Sequence, residues 1–159
     1  MFDEASWERV RGKLRAASLI ELADCWAAYR GDRPMPRRDD IRLADLDGHA
    51  PRLILAEVWQ APLRFHLALV GEELETKLGR KITGEVLTGE SPMFFRPYAK
   101  CAENVRAVRE FLSFNFDESE APATFERLLL PLSDDGETVD GILGEAVYTN
   151  LTTDPNNLA

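Results

Sequence analysis

The sequence predicts an α+β fold, with a five-stranded antiparallel sheet and helices on one of its faces. Three observations carry this. Apolar residues recur at helical spacing near the start of the chain. Short runs of alternating apolar and polar residues follow, separated by turn signals. The strands so marked are joined by loops too short for parallel crossovers, so neighbours must run antiparallel and the intervening helices must cover a face.

Taken in order, Trp7, Val10, Leu14 and Ala17 form one narrow apolar stripe in a segment rich in Arg, Lys and Glu, which predicts an amphipathic helix. Ser18 followed by Glu21 matches a capping box and predicts a second helix that Gly31 ends. Pro34 and Pro36 remove donors and push their neighbours toward extended conformations, so 31–51 reads as a long ordered connection. "RLILAEVW" and "LRFHLALVG" are two strands around a "QAP" hairpin loop, and "EELETKLG" is a short helix. "RKITGEVLTGES" reads as loop. A longer helix is expected from near Pro97 through "YAKCAENVRAVREFL", then three strands in "LSFNFD", "TFERLLLPL" and "TVDGILGEAVY".

With 159 residues the chain is long enough for one well-formed core. No apolar run approaches the roughly 20 residues of a membrane helix, and "MFDEASWERVRGK" is too charged for a signal peptide, so a cytoplasmic protein without a membrane span is expected. Cys25 and Cys101, far apart and each within an expected helix, read as reduced apolar side chains. The net charge of −9 argues against nucleic acid as a partner. Its excess is local: Met1 to Phe111 balances 18 acids with 18 bases, whereas Leu112 to Ala159 has 10 acids and one base, Arg127.

No residue set commits the chain to catalysis. "GEVLTGES" has the glycine spacing of a phosphate loop, but Glu90 stands where its lysine belongs. His49 lies near Asp45 and Asp47, a weak metal signal because a competent site needs three or four converging ligands and a supporting shell, and His66 points away from the face that holds Phe65, Leu67 and Leu69. In "SDDGE", Gly136 suits a positive φ while Asp134 and Asp135 accept local backbone hydrogen bonds, so these acids read as turn formers. Pro131, with no ladder donor, belongs at an edge, a bulge or a water-facing position.

"LADCWAAYRGDRPMPRRDDI", "RFHLALVG", "GRKITGEVL" and "LLLPLSDDGETVDGILG" together resemble the PAS-domain family of short, often stand-alone alphaproteobacterial proteins. The resemblance covers about Leu19 to Tyr148, and the chain is expected to divide into an N-terminal helical extension over 1–31, a PAS-like domain over 32–149 and a flexible tail over 150–159. It implies a non-catalytic sensor or interaction module acting in signal transduction, with a small-molecule ligand between sheet and helix, a signalling-protein partner, and no cofactor that the residues name. The expected cleft is lined by Phe65, Leu67, Tyr98, Val105, Phe114, Leu130 and Leu143. A homodimer is expected through the first helix, because Trp7, Val10 and Leu14 are costly to leave in water. The alternative is a small enzyme in the same cleft, with His66, Tyr98 or Glu145 as acid/base groups.

Overall fold

A computed structural model describes residues 1–114 and 122–149. Helices α1 (Glu4–Lys13) and α2 (Ala17–Arg30) lead into a connection built on two 3₁₀ segments, Arg38–Asp40 and Leu43–Arg52. Strands β1 (Leu53–Trp59) and β2 (Arg64–Val70), helix α3 (Glu72–Leu78), the short β3 (Val86–Leu87) and helix α4 (Pro92–Glu103) follow. Strands β4 (Val108–Phe114), β5 (Ala123–Leu132) and β6 (Gly141–Thr149) complete the fold. All pairings are antiparallel, in the order β3-β2-β1-β6-β5-β4, so the first and last long strands meet at the centre. The α+β class holds; the sheet has six strands rather than five, because two residues of the expected loop pair with Phe65 and His66.

Strand alternation sorts the core into two layers. Ile54, Leu67, Phe125, Arg127, Ala146 and Tyr148 face α3 and α4. Leu53, Glu126, Leu128, Leu130, Leu143 and Glu145 have the opposite parity and lie under α1, α2 and the 3₁₀ connection. The N-terminal helices therefore cover the second face of the sheet.

Asp3 caps α1, its carboxylate accepting the Ser6 amide at 2.9 Å. Trp7 (6% exposed) packs on Trp26 with ring centroids 4.7 Å apart, and Phe2 lies 5.5 Å from the same indole. The Arg30 guanidinium stands 5.1 Å from the Trp26 ring and ion-pairs with Glu4. The Trp26 indole N–H donates to the Pro131 carbonyl at 3.0 Å and ties α2 to β5. In a strand, N–H and C=O of one residue point to the same side, so the absent Pro131 donor also points away from β6. Pairing with β4 ends at Leu129, so the missing donor leaves no β4 acceptor unmet, although the strand is interior. Pro131 itself is buried rather than facing water.

Two helix boundaries differ from expectation. The last turn of α4 closes with the Arg106 amide on the Cys101 carbonyl at 3.2 Å and Val105 at φ +49°, a Schellman-type end. Valine rather than glycine holds the left-handed position, which removes the usual stop signal. Consequently "VREFLSF" is strand, and the helix expected to reach Leu112 ends at Glu103. At its other end α4 begins at Pro92 with Pro97 inside it, earlier than the expected start. Phe116 and the tail 150–159 lie outside the described residues.

Left-handed backbone costs a side-chain-bearing residue roughly 1–2 kcal/mol, partly offset by the entropy a glycine adds to the unfolded chain. Val105→Gly is therefore expected to raise stability by about 0.5–1 kcal/mol in a urea titration; a loss of stability would show that packing of the valine outweighs its backbone cost.

Candidate functional site

Between the sheet and helices α3 and α4 lies an open cleft of about 250 Å³. Its walls are Leu67, Val70, Leu74, Ile82, Phe125 and Ala146, and Leu78, Phe94 and Leu112 at its lining are each about half exposed. One charged pair enters this apolar space. Arg127 Nε donates to Glu110 Oε1 at 2.6 Å, across the β4–β5 ladder. The same guanidinium stands 5.4 Å from the Tyr98 ring and 5.7 Å from that of Phe125.

Two phenols complete the site. Tyr98 comes from α4 and Tyr148 from the end of β6. Burial pushes both phenols above their ordinary pKa, with Arg127 pulling the other way. Neither hydroxyl makes a hydrogen bond to any described residue, so each has its donor and acceptor capacity available.

Of the expected cleft residues, Leu67 and Tyr98 line this space, and Phe65 lies just behind it, 5.6 Å from the Tyr98 ring. Val105 sits instead in the α4–β4 turn, where its carbonyl accepts the Asp3 amide at 3.2 Å. Leu130 and Leu143 pair with each other on the opposite face, beneath α2, and do not line the cleft. The side chain of Phe114 lies outside the described atoms. Arg127, Glu110 and Tyr148 carry no sequence signal of this role. The sequence pattern puts Glu110 on a helix, and Arg127 precedes an apolar run, Leu128 to Leu132, too continuous to show parity.

On the other face two buried glutamates anchor the N-terminal segment. Glu126 (3% exposed) accepts the amides of Arg15 and Ala16 at 3.1 and 2.8 Å and the Arg109 Nε at 2.6 Å. It thereby anchors the link between α1 and α2 just ahead of α2, whose N-cap residue, Ala16, has no side-chain acceptor. Ser18 is not the cap its sequence position suggests: its hydroxyl donates to Glu145, which is fully buried. Glu145 also takes His49 Nδ1 at 2.8 Å and Arg52 Nε at 3.1 Å.

Serine, histidine and a carboxylate in contact invite comparison with a hydrolytic triad. There the acid holds one ring nitrogen and the serine meets the other. Here both contacts fall on Nδ1, with Ser18 Oγ at 3.0 Å, and Nε2 faces Glu21 at 3.9 Å. The arrangement fastens three segments together and leaves no nitrogen poised to take the serine proton.

The three acid/base candidates do not converge. His66 pairs with Glu57 at 2.6 Å and stacks on Trp59, Glu145 is enclosed beneath α2, and Tyr98 lies across the sheet. Nor does Asp45, near His49 in sequence, bond to it: its carboxylate accepts from Tyr29 at 3.0 Å. Among the described residues no three His, Cys, Asp or Glu side chains gather as metal ligands, and no helix is long and apolar enough to cross a membrane.

The expected dimer helix has its stripe occupied within the chain. Trp7 and Leu14 are buried against the protein's own core, and Val10 is partly covered. The cost of exposing them, which argues for a second subunit, does not arise. In the "SDDGE" turn, Asp135 Oδ1 accepts the amides of Glu137 and Thr138 at 2.8 and 2.7 Å, which draws its carboxyl down to about 2. Gly136 takes φ +81°, and Arg38 faces Asp140 at 3.4 Å from across the connection.

The sheet flanked by α4 and the antiparallel strand order agree with one comparison. The family model described as PAS domain matches residues 14–147, most of the chain, including α2 and every strand except the last two residues of β6. No curated protein matches the chain. The match across nearly the whole sheet and its helices shows that this chain belongs to the PAS domain family, a family of signalling and sensor modules.

Proposed function

We propose that this chain is a non-catalytic sensor domain that takes a small molecule, apolar along most of its length and polar at one end, in the cleft between α4 and the sheet. The observation that carries this reading is the pair of phenols, Tyr98 and Tyr148, whose hydroxyls have no hydrogen-bond partner among the described residues, beside the Arg127–Glu110 pair in an otherwise apolar space. Apolar walls supply affinity, and a few convergent polar groups fix orientation. Half-exposed Leu78, Phe94 and Leu112 are side chains that an occupant would shield from water. The absence of convergence among His66, Tyr98 and Glu145 supports binding over chemistry.

Ala146 sits in the cleft wall and is 3% exposed, so a larger side chain there projects into the space. With 1-anilinonaphthalene-8-sulfonate as probe, the native protein is expected to give saturable, blue-shifted fluorescence, and Ala146→Phe to abolish it while circular dichroism stays unchanged. Equal probe uptake by the two proteins, or none by the native protein after denaturing extraction of any resident molecule, would end the ligand reading.

A further inference from the structure

The edge of the sheet opposite β3 carries a second feature, which shares only Glu110 with the cleft. β4 is the terminal strand, paired only with β5, so one side of its seven residues presents backbone donors and acceptors to no other strand among the described residues. Soluble proteins blunt such edges with charged side chains, proline, bulges, brevity or a covering helix or loop; the two charges of β4, Arg109 and Glu110, are each paired within the chain. β3, at the other edge, is two residues long, whereas "VREFLSF" has neither proline nor lysine.

Two depressions of about 530 and 230 Å³ meet at the start of this strand, sharing Lys100, Val108 and Arg109. Together they form a groove between α1, α4 and β4. Arg9, Lys13, Arg96, Lys100 and Arg106 line it, and none of the five ion-pairs with any described residue. Arg109 and Glu110 also line it, each paired within the chain, to Glu126 and Arg127. Glu8 and Glu103, on the same two helices, are not in the lining. In a chain of net charge −9 this is a local reversal of sign.

We propose that the β4 edge and its basic groove dock an acidic polypeptide segment that joins the sheet as an added extended strand. Backbone hydrogen bonds along β4 supply the register, and the unpaired cations select carboxylate side chains. An extended chain is the occupant that uses both features. Among the described residues no aromatic ring lines the groove for a base to stack on, and its lining is concave and charged rather than an exposed apolar face that would enter a bilayer.

The test uses the full-length protein and a short fluorescein-labelled peptide of alternating glutamate and valine. Fluorescence anisotropy at low salt is expected to show saturable binding, weakened at least about tenfold by the double substitution Arg96→Glu with Lys100→Glu. Both side chains are exposed, so the fold should survive. The bound peptide is expected to slow hydrogen exchange of amides in Val108–Phe114. Undiminished binding by the charge-reversed protein, or unchanged exchange in β4, would overturn the proposal. So would tighter binding of a single-stranded oligonucleotide or of phosphatidylglycerol vesicles than of the peptide. A native mass that doubles with concentration and reverts on charge reversal would assign the groove to a second copy and likewise overturn it.

Discussion

Gly71→Ala is expected to destabilise the protein by roughly 3 kcal/mol or more, lowering the melting temperature by about 10 °C. Gly71 has φ −61°, so its conformation is open to any residue; the constraint is space. A Cβ there would lie 2.2 Å from the Pro51 carbonyl oxygen and 2.5 Å from that of Ala50. These are backbone atoms and cannot rotate aside. The Gly71 amide is also held by the Leu53 carbonyl at 2.8 Å, and its own carbonyl starts α3. Relief therefore has to come from moving the β2–α3 junction away from the 3₁₀ connection. Gly12, late in α1, is the control: a methyl group added there would meet nothing within 4 Å, so Gly12→Ala should be neutral or stabilising by up to about 1 kcal/mol. A thermal melt of Gly71→Ala matching that control would refute the account of this contact.

Glu145→Ala is expected to cost roughly 3 kcal/mol in a urea titration, with Glu145→Gln losing less. Alanine removes the acceptor shared by Ser18, His49 and Arg52 and leaves the buried His49 ring nitrogen facing an empty space. The glutamine keeps the shape and one carbonyl acceptor but lacks the charge. Because these partners come from α2 and from Leu43–Arg52, the loss should be regional as well as global: amides of that 3₁₀ segment should exchange faster, while those of β5 should not. A change below about 1 kcal/mol would mean that water replaces the carboxylate without penalty.

Most of the architecture is legible in the sequence because its signals are local. The β1–β2 hairpin, α3, and the "SDDGE" turn each announce themselves within a few residues, through alternation, a helix-ending Gly79, or Asp135 and Gly136. What stays hidden is information that the chain stores at long range. Val105 ends a helix that no glycine marks, so the start of β4 reads as a continuation of that helix. Ser18 has the spacing of a cap, yet its hydroxyl answers to Glu145, 127 residues away. Leu128 to Leu132 are apolar throughout because both faces of β5 are buried, so alternation alone leaves Leu130 and Leu143 unassigned to a face. The two buried glutamates would settle the parity, since Glu126 shares a face with Leu128 and Leu130. Their burial is visible only once α1 and α2 are known to lie over the sheet.

The alternation along β5 and β6 has a mechanical meaning. Arg127 projects into the cleft and Glu126, its immediate neighbour, grips the Arg15 and Ala16 amides just ahead of α2. Ala146 lines the cleft and Glu145, again adjacent, grips Ser18 and His49. The cleft wall and the moorings of the N-terminal helices are thus separated by one peptide unit on each of two paired strands. The sheet is a partition one backbone thick: a shift of β5 that repositions Arg127 also moves Glu126, and a shift of β6 that repositions Ala146 also moves Glu145.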